Sequence, residues 1–81
     1  MKINVLLFAK LKERFGRDNI ALELPDRTKA CEVLNALCED KEEAKRICRS
    51  VMFATNETYI SSDTLLKDGD ELAIIPPVSG G

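Results

Sequence analysis

At 81 residues the chain is long enough for one domain with one modest core, and 44% hydrophobic residues are enough to fold it. No apolar run approaches the ~20 residues of a membrane helix, and a formal charge of -2 argues against nucleic acid as the partner. Met1-Lys2 leads directly into a strand pattern without the apolar stretch of a signal peptide, so the expected location is the cytosol.

Ile3, Val5 and Leu7 alternate with Lys2, Asn4, Leu6 and Phe8. This period of two predicts a strand with one wholly apolar face. Its other face is polar at the start and apolar at the end. The period changes at Ala9: Leu11 and Phe15 are spaced i, i+4, which predicts a short helical turn with Gly16 as its C-cap. Ile20, Leu22 and Leu24 alternate again as a second strand, stopped by Pro25. Over residues 1–17, Lys2, Lys10, Lys12, Arg14 and Arg17 stand against Glu13 alone, so the basic start contrasts with an acidic remainder. The plain reading is a solvated face; the alternative is a docking surface for an acidic partner or a phosphate.

Thr28 is a fair helix N-cap, and Ala30, Val33, Leu34 and Leu37 beyond it form an apolar stripe. This is the one long helix the pattern requires. Glu39-Asp40-Lys41-Glu42-Glu43 is either the end of that helix plus a loop or the start of a second helix carrying Ala44, Ile47 and Cys48. Val51–Thr55 and Thr58–Ile60 read as a hairpin around Asn56-Glu57, since Asn tolerates φ > 0. Residues 61–64 form a loop, and Leu65 and Leu66 are expected to plug the core before the Asp68-Gly69 turn.

Cys31, Cys38 and Cys48 are an odd number of thiols in a reducing compartment, which does not suggest a disulfide framework. With no CxxC and no His, a metal site is not expected, and three cysteines cannot supply the four ligands of an iron–sulfur cluster. Cys31 and Cys38 share a helix face with Leu34 and read as core or part-buried thiols; a persulfide-carrying cysteine is the alternative. The lack of His removes the commonest acid–base group. Gly16, Gly69, Gly80 and Gly81 form neither a P-loop nor a dinucleotide fingerprint. No complete active site is visible, so the chemistry is expected to be done to this protein rather than by it.

The last stretch, Asp68-Gly69-Asp70-Glu71-Leu72-Ala73-Ile74-Ile75-Pro76-Pro77-Val78-Ser79-Gly80-Gly81, reads as a turn, a buried strand, a stop and a slim tail. Pro76 and Pro77 lack the N–H that ladder pairing needs and favour polyproline II. From Pro76 to Gly81 the tail spans about 20 Å when extended. With no Cβ on its final two residues it fits a narrow channel and presents a bare carboxylate. The expected division is residues 1–75 as the folded domain and 76–81 as the tail.

That final stretch resembles the C-terminus of the sulfur-carrying small subunits of molybdopterin synthase, and Val5-Leu6-Leu7-Phe8-Ala9-Lys10 resembles their first strand. The resemblance spans the chain. It implies an α+β, β-grasp (ubiquitin-like) mixed sheet with one main helix across it and the last strand beside the first, parallel and central. It also implies a cycle at Gly81. An activating enzyme would use ATP to form a transient acyl-adenylate there, a sulfur donor would replace AMP to give a thiocarboxylate, and the sulfur would pass to a pterin precursor to build the dithiolene of the molybdenum cofactor. The chain would bind no cofactor of its own, and its nucleotide contact would be the transient acyl-adenylate. It would act as the sulfur-donating part of a sulfurtransferase, in a heterotetramer with two large catalytic subunits. Pro76, Pro77, Val78, Ser79 and Gly80 would insert into the large subunit. Leu6, Phe8, Ala73 and Ile75, brought together on the outer sheet face, would dock it, unless a loop covers them as a second small core. Two alternatives remain at this stage. One is a related β-grasp carrier for thiamine or tRNA thiolation, or a modifier conjugated to lysines; the other is a binding module whose tail is incidental.

Overall fold

The computed structural model describes residues 1–77. Strand β1 (Lys2–Leu7) leads into helix α1 (Ala9–Phe15), then β2 (Asn19–Glu23). A 3-10 turn at Ala30–Glu32 runs into α2 (Val33–Leu37), followed by α3 (Lys41–Ser50), the hairpin β3 (Met52–Thr55) and β4 (Thr58–Ile60), and finally β5 (Glu71–Ile75). The five strands form one sheet in the order β2-β1-β5-β3-β4. β1 and β5 pair in parallel at its centre, with Val5 opposite Leu72 and Leu7 opposite Ile74; the other pairings are antiparallel. This is the mixed sheet of a β-grasp fold.

Alternation places Ile3, Val5, Leu7, Leu72, Ile74 and Phe53 on the inner face, all buried. Leu11 of α1, Val33 and Leu34 of α2, Ala44 of α3 and Leu66 close over them. α1 ends as expected: Gly16 takes the left-handed conformation and its N–H reaches the Lys12 carbonyl. The β3–β4 turn has positive φ at both Asn56 and Glu57, the geometry of a tight two-residue hairpin. The Asp68-Gly69 turn is tied to the first strand. The Lys2 N–H donates to Asp68 Oδ1 at 2.7 Å, and the Gly69 N–H, at φ +86°, donates to the Lys2 carbonyl at 2.8 Å. These bonds fix where β5 enters beside β1, and hence where its far end emerges.

Three expectations are corrected. Thr28 does not cap a helix: its Oγ1 donates to the Pro25 carbonyl at 2.7 Å while its side chain is buried. The Lys29 N–H at the following turn is satisfied by the Glu32 carboxylate instead. The apolar stripe is not on the long helix either. It is split between the 3-10 turn and the five-residue α2, while the charged run forms the ten-residue α3. Asp40 drives that outcome, since its side chain accepts the Glu42 N–H at 2.9 Å as an N-cap. Finally, only Leu66 plugs the core; Leu65 is 44% exposed. The backbone of 62–66 is stitched to 28–31 through Ala30 to Thr64, Cys31 to Ser62 and Leu66 to Thr28, which aims the two adjacent leucines in opposite directions.

Candidate functional site at the root of the tail

β1 and β5 run parallel, so both finish at the same edge of the molecule. There β5 gives way to Pro76, half-buried, and Pro77, exposed. Val78, Ser79, Gly80 and Gly81 lie outside the described residues. β5 itself ends at Ile75.

On the outer face, Leu6 of β1 lies opposite Ala73 of β5, and Ala73 lies opposite Ala54 of β3. Ala54 in turn faces Tyr59 of β4. A second row, one pleat nearer the tail, pairs Ile75 with Met52. Leu6, Phe8, Ala73 and Ile75 therefore share one depression of about 340 Å³. Phe8 is 45% exposed, and Met52 and Tyr59 are 52% and 66% exposed, so this face is not a second core. Lower down, the same face turns polar: the Asn4 amide donates to the Glu71 carboxylate. The apolar part is thus confined to the end from which the tail leaves. Sequence reasoning missed Met52, Ala54 and Tyr59. The available signal was the hairpin itself, whose alternation puts Met52 and Ala54 on one face once β3 is placed beside β5.

The three thiols belong to the helical layer. Cys38 is buried at the end of α2, Cys31 and Cys48 are half-buried, and all three are free. Burial pushes the Cys38 thiol up from its ordinary value, helped by the neighbouring Glu43 carboxylate. Burial likewise raises Cys48, which sits beside Cys31. A raised thiol holds less thiolate, the form that acts as nucleophile. Among the described residues, no group of His, Cys, Asp and Glu side chains is placed to hold a metal ion. None of the helices among them is long and apolar enough to cross a membrane.

Comparison with known proteins agrees with this geometry. The model of the ThiS family matches residues 5–81. The molybdopterin synthase sulfur carrier subunit of Dictyostelium discoideum is 39% identical, over 99% of this chain and 96% of its own length. Among solved structures, small archaeal modifier protein 1 from Methanosarcina acetivorans superposes with a TM-score of 0.76 at 32% identity, covering 99% of this chain and 96% of its own. A chain from the protein–protein complex of subunits 1 and 2 of the molybdopterin-converting factor from Helicobacter pylori gives a TM-score of 0.62 at 29% identity, with both chains fully covered. Shared fold, full-length similarity and a sheet that delivers its last strand to an open edge lead to one assignment: this chain belongs to the ThiS family, among the molybdopterin synthase sulfur carrier subunits.

Proposed function

We propose that the chain carries sulfur on the Gly81 carboxylate as the small subunit of a molybdopterin synthase. A carboxylate is a poor electrophile. Joining it to AMP, with release of pyrophosphate from ATP, makes the carbonyl open to attack, and a sulfur donor then expels AMP to leave a thiocarboxylate. The thiocarboxylate sulfur is the nucleophile given to the pterin precursor. Two sulfurs complete a dithiolene, so carriers exchange on the large subunit, and the spent carboxylate is recharged. ATP belongs to the activating enzyme, and the body of the carrier supplies aim rather than catalysis.

The single observation that carries this reading is the apolar edge of the sheet beside the tail's root. A large subunit seated on Leu6, Phe8, Ala73 and Ile75 would hold β5 fixed while Pro76 and Pro77 direct Val78, Ser79, Gly80 and Gly81 into its channel. The Helicobacter pylori complex of two subunits supports such a partner. A cytosolic heterotetramer with two copies of each subunit is the assembly we propose.

The test is the intact mass of the protein from its native cell. Sulfur for oxygen adds about 16 mass units, close to methionine oxidation, so the heavier fraction must also react with a thiol reagent at Gly81. The likeness to small archaeal modifier protein 1 favours a second reading, isopeptide conjugation of Gly81 to lysines. That reading predicts a ladder of heavier adducts instead of a thiocarboxylate.

A further inference from the structure

The backbone at Ala9 is held at φ +50°, in the left-handed region that a residue with a Cβ enters at a cost. Arg27, Asn56 and Glu57 also have positive φ, but they lie in turns, where reversal of the chain calls for it. Ala9 is instead the single step between β1 and α1. Its side chain is exposed, so burial of the alanine methyl does not account for the strain.

Its neighbours do. Alternation along β1 turns Leu7 into the core and Phe8 onto the opposite face, where Phe8 lines the depression with Leu6, Ala73 and Ile75. Phe8 keeps extended backbone, with φ -126° and ψ 153°. Leu11, three residues on, is nevertheless buried in the core under α1. The chain must pass from the outer row of the sheet to the helical layer at once, and the left-handed conformation of Ala9 makes that corner. The ladder does not aim Phe8. The last pair of β1 with β5 is Leu7 with Ile74, and the last with β2 is Leu6 with Asn19. Beyond them the Phe8 carbonyl already serves the helix, accepting the Leu11 N–H at 3.0 Å.

We infer that Ala9 is a positioning residue for the large subunit: its strained backbone holds Phe8 out on the apolar face beside the tail's root. The inference rests on the carrier reading above, in which the large subunit sits on that face. An aromatic anchor already held in place loses less freedom on binding, and that saving appears as affinity. The strain is kept in the free carrier and sustained by the burial of Leu7 and Leu11 on either side of the corner. What matters at residue 9 is then tolerance of positive φ rather than size. Asparagine tolerates it well and a β-branched side chain tolerates it least.

The experiment titrates full-length carrier variants against the purified large subunit, at a temperature where a melt shows each variant to be folded. Ala9→Asn should bind within about twofold of the wild type, whereas Ala9→Val, of similar bulk, should bind about tenfold more weakly, approaching the loss from Phe8→Ala. In a carrier that already has Phe8→Ala, Ala9→Val should cost no further affinity, because residue 9 acts through Phe8. Equal effects of Ala9→Asn and Ala9→Val would mean bulk or direct contact, and overturn the inference. A full additional loss in the Phe8→Ala background would mean general damage to the fold, and overturns it too. Should Ala9→Val not fold, Ala9→Leu takes its place and must show the same order against asparagine and the same dependence on Phe8. If Phe8→Ala itself leaves affinity unchanged, the docking face of the carrier reading has failed. If Phe8→Ala weakens binding and Ala9→Val does not, only the role of Ala9 is rejected.

Discussion

Phe8 and Leu34 are both large apolar residues, but their surroundings separate their roles. Leu34 is wholly buried between α2 and the sheet. Leu34→Ala removes most of a packed side chain and leaves a cavity, at a cost of ~2–5 kcal/mol. That is much of what so small a domain has to spare, and a chemical or thermal melt should show it. Phe8 sits just past β1 with 45% of its surface open, so its removal vacates little of the core. Phe8→Ala is expected to weaken binding to the large subunit at least tenfold, as loss of an aromatic anchor worth ~2 kcal/mol would, with little change in the melt. A titration of the two subunits checks this. Unchanged affinity, or a loss of stability equal to that of Leu34→Ala, would remove Phe8 from the docking face.

Among the elements, the hairpin turn is the one most open to improvement. Glu57 holds φ of +66°, a conformation that side chains with a Cβ adopt at a cost and glycine does not. Glu57→Gly should therefore raise stability by roughly 0.5–1 kcal/mol, because the left-handed strain it relieves exceeds the added freedom of the unfolded chain, read as a higher midpoint in urea. The same element shows how much could be read beforehand. Strands, their faces and the Asn56-Glu57 turn follow from alternation and turn chemistry, both local properties of the chain. The helical layer was less legible because two signals there conflict. The apolar stripe of residues 30–37 marks what is buried, whereas helix length is set by capping, and Asp40 restarts the helix after Cys38 leaves it. Thr28 had the chemistry of an N-cap but spends its hydroxyl on the Pro25 carbonyl, a choice made by the loop that packs on it. The apolar outer face was half legible: β1 and β5 contribute residues whose orientation alternation predicts, but Met52, Ala54 and Tyr59 join only through the β5–β3–β4 pairing, a contact between distant parts of the chain.

At the scale of the whole molecule, the body and the tip should be separable. The described contacts of the core involve residues up to Leu72 and Ile74, so one residue added after Gly81 should leave the melt unchanged. It should nevertheless abolish adenylation and pterin sulfuration, because the carboxylate is displaced and a side chain is placed where only glycine is slim enough. Continued sulfuration by the untrimmed, extended protein would contradict the carrier reading.

The parallel pairing of β1 with β5 also governs how the protein is made. The strand at the centre of the sheet is the last of the five to be synthesised, and its neighbour is the first. Until β5 arrives, Ile3, Val5 and Leu7 have only the antiparallel ribbon with β2 to rely on, and two strands alone are marginal in water. The decisive contacts join residues nearly a chain length apart, which makes sheet closure a late step, after translation has passed Ile75. A chain stopped short of that point cannot complete the sheet and remains open to proteolysis. Any molecule stable enough to persist and meet a partner must therefore already include β5, the strand that leads directly into the tail.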